Sequence, residues 1–442
     1  MQQARAVTGP PKSLGERIRD WKQSRFAKNF VGLLSANVAA QFLPLLAAPV
    51  MTRLYAPADY GLIALLTAAV AILTAFATFR LDWFLASSKG IRRARVFLLC
   101  GGVLVLAVSL LLLACAPLVR QAVLARFGAA FGPLLWVVPF AVLLSGSYQM
   151  LVGWCVRSAE MIPVARGRIV AAVLSTMTGI GLGLLGYGWT GLLLMTLISW
   201  AVPLLMIAVS SWRSLSAGPY GLALQSAGRV LGQSRQRITY SGLTGIVNAA
   251  GLFLPMIVIS AQYSPVEAGW YALMQRVATV PLSTISTAVG HSFWAEANQL
   301  HKTAPAQLGQ LFNKTLRVLA LVGLACGVAC LLGPLYVGPL FGAKSWSGAG
   351  WVLASLAPYF ATQLVVSPLA SIVTVLGHER WLFYWDIART VLILVALLLC
   401  HALHTGFVPA VAAFALVMAG AYLVLLGKMR RLLADLIALA TG

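Results

Sequence analysis

The chain is 442 residues long, 60% hydrophobic and only 10% charged, with a mean hydropathy of +0.89 and a formal net charge of +22. An average soluble domain carries about 25% charged residues, so this composition excludes an ordinary soluble fold and implies a polytopic membrane protein. Unpaired backbone groups cannot be left in hydrocarbon, so each crossing needs about 20 mostly apolar residues in a helix, and the expected fold class is all-α.

Residues 1–29 carry seven basic groups, and Leu14, Ile18, Trp21 and Phe30 are spaced for one helix face. They read as a cytoplasmic amphipathic segment lying on the inner leaflet. No cleavable signal is expected, because the charged stretch is long and the first apolar run is a full span. Spans are predicted near 30–51, 61–86, 96–117, 133–156, 167–187 and 190–210. After a cytoplasmic linker at 211–238, six more follow near 239–260, 268–291, 314–335, 351–375, 385–405 and 408–427. The expectation is twelve transmembrane helices in two six-helix lobes, 30–210 and 239–427. A cytoplasmic tail at 428–442, which resembles the amphipathic N-terminal segment, is expected to lie on the interface.

With both termini cytoplasmic, the inside segments hold 26 Lys and Arg against four outside, Arg53, Arg120, Arg126 and Lys344, while Arg80 and Arg276 fall inside spans. The positive-inside rule therefore predicts N-in, C-in. Topology and attraction to anionic lipid account for the basic balance. Nucleic acid is not expected as a partner, because the basic residues are scattered among the loops between spans. The six cysteines lie in or at the edge of spans and read as small buried hydrophobes, with no spacing for zinc or for a disulfide framework. Gly181-x-Gly183-x-x-Gly186 spells a dinucleotide fingerprint, but inside a span with no preceding strand it reads as close helix packing. There is no Walker A lysine motif, and neither a cofactor nor catalysis is expected.

One turn is written twice. Tyr55-x-Pro57-x-Asp59-x-Gly61 recurs as Tyr263-x-Pro265-x-Glu267-x-Gly269, at the outer start of the second helix of each six-span lobe. Each copy reads as a helix start. Proline suits the first helical position, Ser264 with Glu267 spells a capping box, and the acidic residue faces the positive helix end. An even number of spans per lobe leaves the two copies in the same orientation, related by an axis along the membrane normal.

The sequence Pro49-x-x-x-Arg53-x-Tyr55-x-Pro57-x-Asp59-x-Gly61, followed by Arg80-Leu81, resembles the start of Wzx-type oligosaccharide flippases of the multidrug/oligosaccharidyl-lipid/polysaccharide (MOP) superfamily. Asn248 and Pro255, then Gly269-x-Tyr271-Ala272-Leu273-x-x-Arg276-Val277-x-x-x-Pro281, are similar to that family's seventh and eighth helices. The resemblance covers residues 30 to 300 and rests on the order and spacing of degenerate motifs. It implies two six-helix lobes around a cavity that opens alternately to each side of the bacterial inner membrane. The implied cargo is an undecaprenyl-pyrophosphate-linked oligosaccharide for surface polysaccharide such as O-antigen or capsule. A polysaccharide polymerase and chain-length machinery are the implied protein partners, beside membrane lipid.

A diphosphate with sugars cannot enter hydrocarbon unaided, so such a protein must supply a wet, cationic groove. In span eight Arg276, Thr279, Ser283, Ser286 and Gly290 recur at three- and four-residue steps and share a face. An arginine there is costly and hence a functional candidate, facing phosphate in the lumen or holding helices in an ion pair. Thr67, Thr74, Thr78 and Asp82 form a second stripe on span two, with Arg80 on the other side of the helix, either facing substrate or snorkelling. Asn37 and Gln41 on span one, and Ser241, Thr244 and Asn248 on span seven, are candidates for sugar hydroxyls or for helix–helix hydrogen bonds. Arg53, at the outer end of span one, receives phosphate on release or anchors to headgroups. Asp386 and Arg389 read as a structural pair. Proton or sodium coupling stays open, with Asp82 the candidate. The competing reading is ion-coupled efflux of small organic cations by a MATE-like relative, which normally needs more buried carboxylates than the three in or near spans here, Asp82, Glu296 and Asp386.

Overall fold

The computed structural model describes residues 38–216, 220–342 and 344–441. The expected interfacial segment 1–29 and Asn37 lie outside the described residues. Helical backbone from 38 passes a turn at Ala47 into α1 (Ala48–Leu54), then α2 (Pro57–Thr78), α3 (Leu81–Ala86), α4 (Ile91–Phe127), α5 (Gly132–Ser158), α6 (Met161–Leu184) and α7 (Trp189–Ser210). A short α8 (Trp212–Ser216) leads to α9 (Tyr220–Gln262), α10 (Pro265–Thr303), α11 (Pro305–Leu331), α12 (Gly333–Phe341), α13 (Ala349–Val366), α14 (Ser371–Val375), α15 (Glu379–Ala402) and α16 (Phe407–Thr441). No strand occurs among the described residues, as a chain that must satisfy its backbone within each crossing requires.

Ten of the described helical stretches are long and apolar enough to cross a membrane. The 39-residue α10 is not among them, because the polar stripe headed by Arg276 dilutes its hydropathy. The first predicted span is described only from residue 38 onward.

The segments expected between and after the lobes are helical. The stretch expected as a linker at 211–238 is largely helical, with its second half forming the start of the 43-residue α9. There Val230 and Ile238 are buried against Leu81, Leu85 and Phe97. In the tail after 427, α16 runs on without a break, and Met429, Leu432 and Leu433 are buried. From Tyr220 to Ile238, after Pro219, and from Lys428 to Thr441, apolar residues keep helical spacing with no proline to stop them.

Buried side chains collect into separate cores. One holds Met51, Tyr55, Leu66, Leu134 and Val142 from the first half of the chain. Another is built mainly from residues between Met256 and Leu433, with Tyr271, Phe312 and Phe360 among its fully enclosed members. Within the second core lies a polar knot. Arg389 Nη2 is 2.9 Å from Asp386 Oδ1, with the two side chains 5% and 17% exposed, and the guanidinium sits 4.7 Å from the Trp385 ring centroid. The expected structural pair is present. Arg389→Met strands a buried carboxylate and is expected to cost about 3–5 kcal/mol, seen as a lowered thermal unfolding midpoint. Adding Asp386→Leu should recover most of that loss, since an apolar pair needs no compensation.

Candidate functional site

The two copies of the repeated turn meet. At the second, Ser264 N donates to Glu267 Oε2 at 2.9 Å and Glu267 N donates to Ser264 Oγ at 3.3 Å, a complete capping box. At the first, Ala56 N donates to Asp59 Oδ2 at 3.1 Å, while Ala56 has no side-chain oxygen and Asp59 N donates to its carbonyl at 3.0 Å instead. These caps start α2 and α10 at the same end of the bundle, where the helices cross glycine on glycine. A Cβ on Gly269 would collide with the Pro57 carbonyl, and one on Gly61 with the Pro265 carbonyl. Only glycine allows this approach.

The crossing is latched by a tryptophan from the segment between α12 and α13. Trp346 is fully buried, donates its Nε1–H to the Thr52 carbonyl at 3.0 Å, and packs edge-on against Tyr60 with ring centroids 5.3 Å apart. Thr52 lies in the last turn of α1, where carbonyls have no intrahelical partner, so the indole satisfies a group that would otherwise be orphaned. Trp270 Nε1 holds the same segment by donating to Ser345 O at 3.0 Å. Trp346→Phe is expected to weaken this latch by about 1–3 kcal/mol, measured as faster labelling of Thr52→Cys by a membrane-impermeant maleimide.

Directly beneath the seal lies a crevice lined by Ala48 and Met51 of α1, Tyr60 of α2, Met195 of α7, and Leu273 and Arg276 of α10. Arg276 is deep within the protein, yet its side chain is accessible from the crevice. It faces the other half of the bundle rather than the bundle's outside. Further along the same face Thr279, Ser283 and Ser286 are partly accessible. Ser283 Oγ lies 3.5 Å from Gln41 Oε1 on the facing segment, so the structure brings these two predicted residues together.

Other predicted residues are placed differently. Asn248 is partly exposed on α9, three residues from Gly245, over which the Arg80 side chain packs. Arg80 and Phe79 both adopt left-handed backbone, φ 60° and 45°, which breaks the second predicted span into α2 and α3. The Arg80 guanidinium sits 5.3 Å from the Trp83 ring centroid. Arg53 is exposed in the last turn of α1. Of the second stripe's threonines, Thr67 is partly exposed and donates to the Ala64 carbonyl at 2.9 Å, Thr74 is fully buried, and buried Thr78 donates back to the Thr74 carbonyl at 3.0 Å. Asp82 lines a different pocket, with Tyr148 and Arg168. Thr244 donates to Tyr240 O at 2.8 Å. Among the described residues no cluster of His, Cys, Asp or Glu has the makings of a metal site. Tyr60 and Trp346 escaped the sequence reading, and the only signal for the latter was an aromatic residue in a short, glycine-flanked external segment.

The family model described as Polysaccharide biosynthesis protein matches residues 50–349, more than half of the chain and both repeated turns. The chain belongs to this family. Its fold is that of the MOP superfamily. An inward-facing multidrug resistance MATE transporter of that superfamily superposes with a TM-score of 0.62 at 15% identity, covering 92% of this chain and 95% of the other. Lipid II flippase MurJ, in an inward closed conformation, gives 0.63 at 13% identity, covering 92% and 89%. A MOP superfamily transporter from Pyrococcus furiosus gives 0.53 at 16% identity, covering 92% and 96%. No curated protein sequence matches the chain. This member of the family is thus a multi-pass membrane protein with the fold of the MOP superfamily, and its glycine crossing, tryptophan latch and Arg276 lie where the two halves of its bundle meet.

Proposed function

We propose that the protein is a flippase that carries a polyprenyl-diphosphate-linked oligosaccharide from the cytoplasmic to the periplasmic leaflet of a bacterial inner membrane, for surface polysaccharide assembly. The observation that carries this reading is Arg276, a guanidinium set between the two halves of the bundle, just under a closed seal. A guanidinium offers a planar fork of donors that matches phosphate oxygens, and its cost in an apolar interior is justified by a charged cargo. The family's polysaccharide role and the fold shared with a lipid II flippase support the same conclusion.

Alternating access follows from the crossing of α2 and α10. The positive-inside count puts the repeated turns on the periplasmic side, so the seal holds that side shut while headgroup enters from the cytoplasm and the polyprenyl tail stays in lipid. Parting the glycine crossing then releases the headgroup outward. A negative interior aids outward movement of an anion by about 2.3 kcal/mol per charge per 100 mV. If a proton or sodium ion is also coupled, Asp82 is the candidate.

The test is reconstitution in liposomes with a fluorescent polyprenyl-diphosphate oligosaccharide, scored by protection from a membrane-impermeant quencher. Protein-dependent flipping is the expected result. Transport of a cationic dye with no movement of the lipid would overturn the reading in favour of efflux.

A further inference from the structure

Tyr60 stands where the seal and the crevice meet. It immediately precedes Gly61, the α2 residue of the glycine crossing, and packs against both hydrophobic cores. Its ring meets Trp346 edge-on, so it touches the latch. It also lines the crevice with Arg276, and its hydroxyl interacts electrostatically with that guanidinium across the intervening space. Among the described residues, neither the Arg276 guanidinium nor the Tyr60 hydroxyl has a hydrogen-bond or ion-pair partner. Polar groups left unpaired in such a place cost stability, a cost that a ligand oxygen would remove.

The two groups are not equally reachable. Arg276 is exposed, so a phosphate can meet it while the seal stays shut. The crevice that continues to Tyr60 holds only about 30 Å³, room for one or two waters. A phosphate is several times larger. It fits between Arg276 and Tyr60 only if the walls part, and those walls include Met51 of α1, Tyr60 of α2 and Leu273 of α10. Met51 is followed by Thr52, whose carbonyl accepts the Trp346 bond, and Leu273 lies one helical turn beyond Gly269. Spreading these walls therefore spreads the glycine crossing and pulls on the latch.

A ligand shifts an equilibrium only through contacts that differ between the two states. The contact with Arg276 is available in the sealed form; a bond to Tyr60 is available only as the seal opens. We infer that Tyr60 is a second ligand of the diphosphate, bonded only as the periplasmic seal parts, and that this bond is what lets a bound diphosphate open the gate. The assignment of the diphosphate as part of a cargo rests on the flippase reading. The phenol donates its proton to a phosphate oxygen, beside the planar fork of Arg276. Without ligand that bond is missing, and the sealed form is favoured.

Spin labels test the gate without requiring transport. In the full-length protein with its six native cysteines replaced, labels at Ala56→Cys and Val266→Cys, both exposed on the repeated turns, report the width of the crossing by double electron–electron resonance in nanodiscs. Saturating bare polyprenyl diphosphate is expected to raise the ratio of wide to narrow forms about tenfold, the effect of one hydrogen bond to a charged group, while neutral polyprenol leaves it unchanged. Tyr60→Phe keeps a ring against Trp346 but lacks the hydroxyl, and should cut the response to less than about twofold. Widening with polyprenol, or equal widening in Tyr60→Phe, overturns the inference. So does the absence of widening in the protein that keeps Tyr60, an outcome that stands even if Tyr60→Phe fails to fold. Widening by inorganic pyrophosphate but not by the lipid-linked form upholds Tyr60 as a diphosphate ligand and sinks the flippase reading instead.

Discussion

Arg276→Ala is expected to slow flipping of the lipid-linked oligosaccharide by about ten- to a hundredfold. A hydrogen bond to a charged group contributes roughly 1.5–3 kcal/mol, and each 1.4 kcal/mol is about a factor of ten. Arg276→Lys should fall between wild type and alanine, because an ammonium keeps the charge but loses the planar fork. The rate is read in liposomes per folded protein, with size-exclusion profile and thermal midpoint as controls. If the alanine variant is less stable but flips at the normal rate, Arg276 is a structural group and the proposed mechanism fails.

Gly269→Leu is expected to act from the opposite side, by holding the seal open. Its Cβ falls on the Pro57 carbonyl, and backbone cannot step aside as a flexible side chain would. α2 and α10 must part. Overpacking a close contact costs about 1–3 kcal/mol, a five- to 150-fold shift between two states, and here that cost is charged only to the sealed state. With the six native cysteines replaced, Thr52→Cys, buried behind Trp346 in the sealed form, should then react faster with an impermeant maleimide from the periplasmic side. Flipping should drop because the inward-open half of the cycle is depopulated. Unchanged labelling in a folded Gly269→Leu protein would show that the crossing is not a gate.

Substantial parts of this architecture can be read without coordinates. Composition alone decides the membrane class, since lipid accepts only hydrogen-bonded helices or closed barrels. The duplicated turn and its cap residues mark where two helices start, because proline, a capping serine and a first-turn carboxylate act through local backbone chemistry. Asp386 and Arg389, one helical turn apart, announce their pairing by spacing. The span-eight stripe is legible for the same reason: residues three and four apart share a face wherever the helix goes.

What a shared face meets is a different matter, as two threonines of span two show. Thr74 and Thr78 share a face as surely as Arg276 and Ser283 do, yet one pair is packed away and the other borders the midline. In a membrane protein the lipid-facing and core-facing sides are both apolar, so hydropathy gives no amphipathic contrast by which to orient a helix. Only the packing of helices distant in sequence decides it. The same cause hid Trp346, whose partner Thr52 is 294 residues away, and the junction of Gly61 with Gly269. Periodicity specified the helices and their polar stripes; close packing across the midline determined which stripe faces a cavity, which turn becomes a seal, and where the arginine points.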